Sequence, residues 1–141
     1  MLDLSKILVP GQNATMRKVV QRSDTAANYS ETMKEFMSTP SWVDMAIRAS
    51  IEAVEKHLPE GFITVGHSIN ITHNAPTCLG MTVTVKATLK EVSENHLVFD
   101  IRSWDELGDV GSGTHERSVV NRDSMLKKAK ERWQYMAKRA F

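Results

Sequence analysis

The sequence predicts an α+β domain in which an antiparallel five-stranded sheet is crossed by one long helix, and two observations carry that expectation. A wide apolar stripe with a proline-marked start runs through residues 39–58, and four stretches of alternating apolar and polar residues follow between 63 and 121. Consecutive short strands joined by tight turns pair antiparallel, and a sheet with one apolar face needs a helix laid across it. At 141 residues the chain has the length of one domain, enough to bury a single core. Residues 14–122 are expected to form that core, with a basic amphipathic helix appended over 123–141.

The elements follow in order. Residues 1–13, with Pro10 and Gly11, read as a loosely attached N-terminal segment. The run from Thr15 to Gln21 suits an edge strand because of its charges. Residues 22–38 read as a loop with a short helical piece presenting Met33, Phe36 and Met37. These three suit either a lid over a pocket or ordinary core packing. The long helix begins at Ser38 or Thr39, with Thr39 as N-cap and Pro40 at the first helical position, where a missing N–H costs nothing. LPEG at 58–61 ends it. Strands then centre on Ile63–Thr72, Thr82–Leu89, Leu97–Ile101 and Val110–Asn121, separated by NAPTCLG, SENH and DELGD. Gly66 interrupts the first of these, as a bulge or a point of close backbone approach would. A terminal helix over 123–139 is expected to pack through Leu126 and Trp133.

Apolar residues make up 41% and charged residues 25%, with a net charge of +1. That ordinary globular balance gives no reason to expect a nucleic-acid or membrane partner. The charge is uneven, however: residues 122–141 hold seven Lys/Arg against two Asp/Glu, a net of +5, and the rest of the chain carries −4. Binding of nucleic acid or an anionic surface through this tail is the lowest-ranked reading, because exposed basic helices are commonly just solvated. Cys78 is the only cysteine, so no intrachain disulfide forms, in keeping with a cytoplasmic location. No signal peptide, membrane-length apolar run, metal-ligand spacing, phosphate-loop glycine pattern or Gly-x-Ser-x-Gly motif is visible, and no cofactor is expected.

Three segments together resemble the fluoroacetyl-CoA thioesterase group of the hotdog superfamily: STPSWVDMA at 38–46, TVGHSINITHNAPTCLGMTVTVKA at 64–87 and GSGTHERSVV at 111–120. The resemblance implies a hotdog fold, a homodimer and cleavage of an acyl-CoA thioester. It places an active-site threonine at Thr39 and a histidine at His73. Gly66 falls where backbone approaches the acyl group, and Arg117 at a substrate-facing arginine. The family's third catalytic residue, a glutamate, corresponds to Ile47.

Each of these residues also has a plainer reading. Thr39 suits an N-cap, and a hydroxyl at a helix start also suits a thioester carbonyl. His73 lies where a strand meets a turn, as a surface histidine would, yet imidazole moves protons near neutral pH. His67 shares the strand parity of His73 and is a candidate for the same face. Arg117 shares a face with His115 and Val119, and Glu116 or Asp100 are its candidate ion-pair partners. Asp44, three residues before Ile47, is the nearest replacement carboxylate, or else it complements the helix dipole. Phe36 is a candidate substrate contact. Two functions follow: hydrolysis of a small or medium acyl-CoA thioester, or acyl-CoA binding with little or no turnover, which Ile47 favours. A hydratase has no matching motif.

Overall fold

The computed structural model describes residues 2–140. Five strands form one antiparallel sheet: β1 (Asn13–Val19), β2 (Phe62–His73), β3 (Thr82–Ser93), β4 (His96–Asp105) and β5 (Gly108–Asn121), in the order β1-β3-β4-β5-β2. The long helix α1 (Thr39–Val54) separates β1 from β2, and α2 (Arg122–Ala140) follows β5 directly.

The alternation in the sequence becomes the two faces of the sheet. Val83, Val85, Ala87 and Leu89 of β3 and Leu97, Phe99 and Ile101 of β4 point inward and are at most 1% exposed. Against them α1 sets Trp42, Met45, Ala46, Ala49, Ala53 and Val54, all buried. The three alanines let the helix approach the sheet closely. The helix lies over β1 and β3 and barely reaches β2, so the inner face of β2 is only partly covered: Ile69 and Ile71 are half-buried and Gly66 is exposed.

Several expectations need correction. The N-terminal segment is anchored, not loose: Leu4 and Leu8 are buried, and Gly11 and Gln12 exchange backbone hydrogen bonds with Leu89. Met1 lies outside the described residues. The first strand starts at Asn13, two residues earlier than its charges suggest. Residues 22–33 form three separate 3₁₀ turns, and Phe36 and Met37 are held by isolated bridges to Cys78 and Thr25. The helix cap is Ser38, whose hydroxyl accepts from the Ser41 N–H. Finally, α2 contributes no buried residue, and Leu126 and Trp133 are 61% and 64% exposed. Its apolar side chains therefore do not hold the domain together.

A chain ending at Arg122 should accordingly keep its thermal midpoint within about 3 °C of the full chain, the usual scale for changes that remove no buried contact. Circular dichroism melting measures this, and a large drop would show that α2 supports the core.

Candidate active site

Because Ser38 takes the capping role, the hydroxyl of Thr39 is free to point elsewhere, and it meets His73. Thr39 Oγ1 and His73 Nδ1 are 2.9 Å apart, joining the first turn of α1 to the last residue of β2. The imidazole stacks on the Trp42 indole, with ring centroids 5.6 Å apart and planes 10° from parallel. Across the sheet His73 pairs with Gly111. A Cβ on Gly111 would lie 2.7 Å from the Thr72 carbonyl oxygen and 3.0 Å from the Trp42 ring, so the absence of a side chain there is what admits the indole beside His73. Half-buried in this way, His73 loses hydration and its pKa falls below the ordinary 6.5. The ring is therefore neutral at neutral pH and able to accept a proton.

The helix terminus offers fewer donors than a bare N-terminus would. Pro40 has no N–H, Ser38 Oγ accepts from Ser41 N–H and the Ser38 carbonyl accepts from Trp42 N–H. What remains at the helix start is the Thr39 hydroxyl, which meets His73, and the Thr39 N–H.

A second polar cluster lies on the same face further along the strands. Gly66 pairs with Arg117, and a Cβ on Gly66 would lie 3.2 Å from the guanidinium. Arg117 is buried and donates through Nε to Thr64 Oγ1 and through Nη2 to the Thr64 carbonyl, both at 2.8 Å. Thr64 in turn donates its hydroxyl and its N–H to Glu55 Oε2 at 2.6 and 3.2 Å. Burial lowers the Arg117 pKa and the Glu55 carboxylate raises it. His115 Nδ1 faces the Ser68 carbonyl at 2.8 Å; since a carbonyl only accepts, Nδ1 carries the proton and Nε2 is left to accept from Arg117 Nη1 at 3.3 Å. Burial, the largest influence on His115, lowers its pKa, which suits that neutral form. Glu116 and Asp100, the expected ion-pair partners, are engaged elsewhere: Glu116 with Ser68 and His96 on the opposite face, Asp100 with Arg102.

The two clusters are separated within the chain. His73 pairs with Gly111 and Gly66 with Arg117, seven residues apart on β2, or roughly 20 Å along the strand.

Of the other sequence candidates, Phe36 is half-buried beside Cys78. Asp44 is exposed and ion-paired to Arg48 at 2.7 Å. Five residues at about 100° each put it about 140° around the helix from Thr39. It lines a cavity of about 480 Å³ with Arg17 and Tyr29 on the flank of α1 toward β1, to which neither Thr39 nor His73 contributes. The structure thus does not bring Asp44 to the Thr39–His73 pair. Ile47 is half-buried. His67 does not share a face with His73. The register slips by one between Gly66 and Ser68, and His67 turns outward to Ser118 Oγ at 2.7 Å and stacks near His96. Simple parity fails across such a bulge. Sequence reasoning missed Trp42 as more than core, and it missed Gly111, Thr64 and Glu55. The strand glycine of GSG was the available signal for Gly111, of the same kind that marked Gly66.

Among the described residues no group of His, Cys, Asp or Glu is arranged to hold a metal ion, and no helix is long and apolar enough to cross a membrane.

Comparisons with known proteins agree with this architecture. Residues 20–123 match the family described as fluoroacetyl-CoA-specific thioesterase. The fluoroacetyl-CoA thioesterase of Streptantibioticus cattleyicolor is 30% identical over 118 residues, covering 84% of this chain and 82% of that protein. The crystal structure of a hot-dog-like protein from Thermanaerovibrio acidaminovorans is 34% identical, with a TM-score of 0.88 over 93% of this chain and 97% of the other. A variant of the fluoroacetyl-CoA-specific thioesterase crystallised with fluoroacetate and CoA is 29% identical, with a TM-score of 0.78 over 84% of this chain and 99% of that one. The sheet and its long helix are thus a hotdog fold.

Gly111→Ala should destabilise the protein by about 1–3 kcal/mol, the usual scale for overpacking, and should disturb the His73 ring. Chemical denaturation reads the first effect and the His73 ring resonances in NMR the second. An unperturbed His73 in a folded variant would show that Gly111 does not position it.

Proposed function

This chain belongs to the fluoroacetyl-CoA-specific thioesterase family, and from that premise we propose that it hydrolyses a small or medium acyl-CoA thioester at Thr39 and His73, as a homodimer. The observation that carries this reading is the 2.9 Å contact between Thr39 Oγ1 and His73 Nδ1, with the ring clamped by Trp42. Neutral His73 takes a proton from the water that attacks the thioester carbonyl and returns one to the departing CoA sulfur, so that carboxylic acid and free thiol are released. The Thr39 hydroxyl and N–H donate to the oxygen on which negative charge develops.

The dimer completes the site in this proposal. β2 is a 12-residue strand at the sheet edge, and a long unpaired edge is a template for another strand. A second copy of β2 laid antiparallel about a two-fold axis near Ile69 and Asn70 reverses its direction. It brings Gly66 and Arg117 of the partner subunit toward Thr39 and His73, closing the roughly 20 Å that separates the clusters within one chain. Arg117 then serves as a substrate-facing cation, oriented by Thr64 and Glu55. Phe36, beside the turn that follows His73, contacts the acyl end.

A second reading has an observation of its own. Ile47 supplies no carboxylate and Asp44 is held on another flank by Arg48. Acyl-CoA binding with slow or no turnover is therefore the alternative.

A panel of acyl-CoA esters, followed both by free-thiol release and by calorimetric binding, separates the two. Turnover that falls about 10²–10⁴-fold in His73→Ala supports hydrolysis; saturable binding without thiol release supports the alternative, and neither binding nor release contradicts both.

The pH profile gives a further check. Since the His73 pKa lies below 6.5, the proton-accepting form persists through neutrality, and kcat/KM should be flat there and fall only below pH 6.5. A fall centred at or above that value would remove His73 from the role of base.

A further inference from the structure

Helix α2 makes little contact with the rest of the chain. It buries no residue, and Leu126, Trp133 and Met136 are 61%, 64% and 54% exposed. Yet its sequence is ordered around its axis. At about 100° per residue, Met125, Leu126, Ala129, Trp133, Met136 and Ala137 fall within an arc of about 120°. Arg122, at the first turn, is the one charged residue inside that arc. Lys130, with Asp123 about 20° beyond it, borders the arc on one side and Arg132 and Arg139 on the other, while Glu131 lies on the far side of the helix.

Three occupants suit an exposed apolar arc of this kind differently. A nucleic acid would engage the cations and leave the arc in water. A second copy of α2 finds a 3-4-3 spacing at Leu126, Ala129, Trp133 and Met136, but over only about two heptads, short of the three or four a stable coiled coil needs. Such a pair would also set Lys130 against Arg132 and Arg139 at the margins, where the single nearby acid, Asp123, is ion-paired to Arg122. An anionic lipid surface meets both halves of the helix at once, because acyl chains take the arc and headgroup phosphates take the cations beside it.

We propose that α2 is a peripheral membrane-binding helix that lies in the surface of an anionic bilayer, with Leu126, Trp133 and Met136 turned into the lipid and Lys130, Arg132 and Arg139 at headgroup level. Composition as a whole gives no reason to expect a membrane partner; the exposure of the arc together with the +5 charge of residues 122–141 supplies one. The helix lies in the interface and does not span the membrane, and it ties the catalytic domain to the lipid surface without taking part in thioester chemistry.

Co-sedimentation of the full chain with vesicles tests this, using phosphatidylcholine alone and phosphatidylcholine with about one-third phosphatidylglycerol. The expected result is binding to the anionic vesicles only, weakened by salt. Leu126→Glu and Trp133→Glu should each lower the bound fraction by about tenfold, with thermal midpoint and thiol release unchanged. Four results would overturn the proposal: no sedimentation with anionic vesicles; equal sedimentation with neutral ones; anionic binding that survives both substitutions, which would mean simple charge attraction; or loss of one step of oligomeric mass in Leu126→Glu by light scattering, which would identify a second copy as the occupant.

Discussion

The stack of His73 on Trp42 is the contact from which the site is built. Trp42 is fully buried in the core between α1 and the sheet, so the imidazole rests on a wall that cannot move unless the core does. One contact thereby fixes the ring plane, aims Nδ1 at Thr39 and removes water from one side of the ring. The lowered basicity of His73 follows from that same exclusion of water. The arrangement needs space in the neighbouring strand, and Gly111 provides it directly across from His73. The geometry of the Thr39–His73 pair and core packing are thus not separate layers here, because the same indole serves both.

The second constraint is the bulge in β2. Without it, His67 would share a face with His73; with it, His67 joins Ser118, Glu116 and His96 on the outside of the sheet. Gly66, just before the slip, stays on the inner face against Arg117. The bulge therefore keeps Gly66 on the same face as Ile69, Ile71 and His73 and sends the polar residue between them away. Since α1 barely reaches β2, Gly66 is exposed in a single chain, and the long β2 edge is open with it. In the proposed dimer one pairing covers both.

Much of this was legible in the sequence, because the two periodicities that carry a hotdog fold are local. Leu97, Phe99 and Ile101 alternate in the sequence as they do in the core, and Ser38-Thr39-Pro40 marks the helix start to within a residue. That one residue mattered. Ser38 and Thr39 are both competent caps, and only the fold shows that Ser38 takes the role and frees Thr39 for His73. Parity failed at His67 because a bulge adds a residue without a pattern of its own. The Asp44 expectation was measured from Ile47; in the fold Asp44 pairs with Arg48, well round the helix from the Thr39–His73 contact. Trp42 read as core, which it is; its second role depends on a strand some 70 residues away, and no local signal carries that. The tail misled in the opposite sense, since an amphipathic stripe looks the same whether it packs on a domain or awaits another surface.

The central claim is that each site draws His73 from one subunit and Arg117 from the other, and mixed dimers test it most directly. Co-expressed chains carrying His73→Ala and Arg117→Met, differently tagged and purified as the mixed dimer, would place both defects in one site and leave the other intact. Each parent homodimer is expected to be inactive and the mixed dimer to recover about half of wild-type thiol release. A mixed dimer as inactive as its parents would mean that both residues act within one chain, and would contradict the shared site.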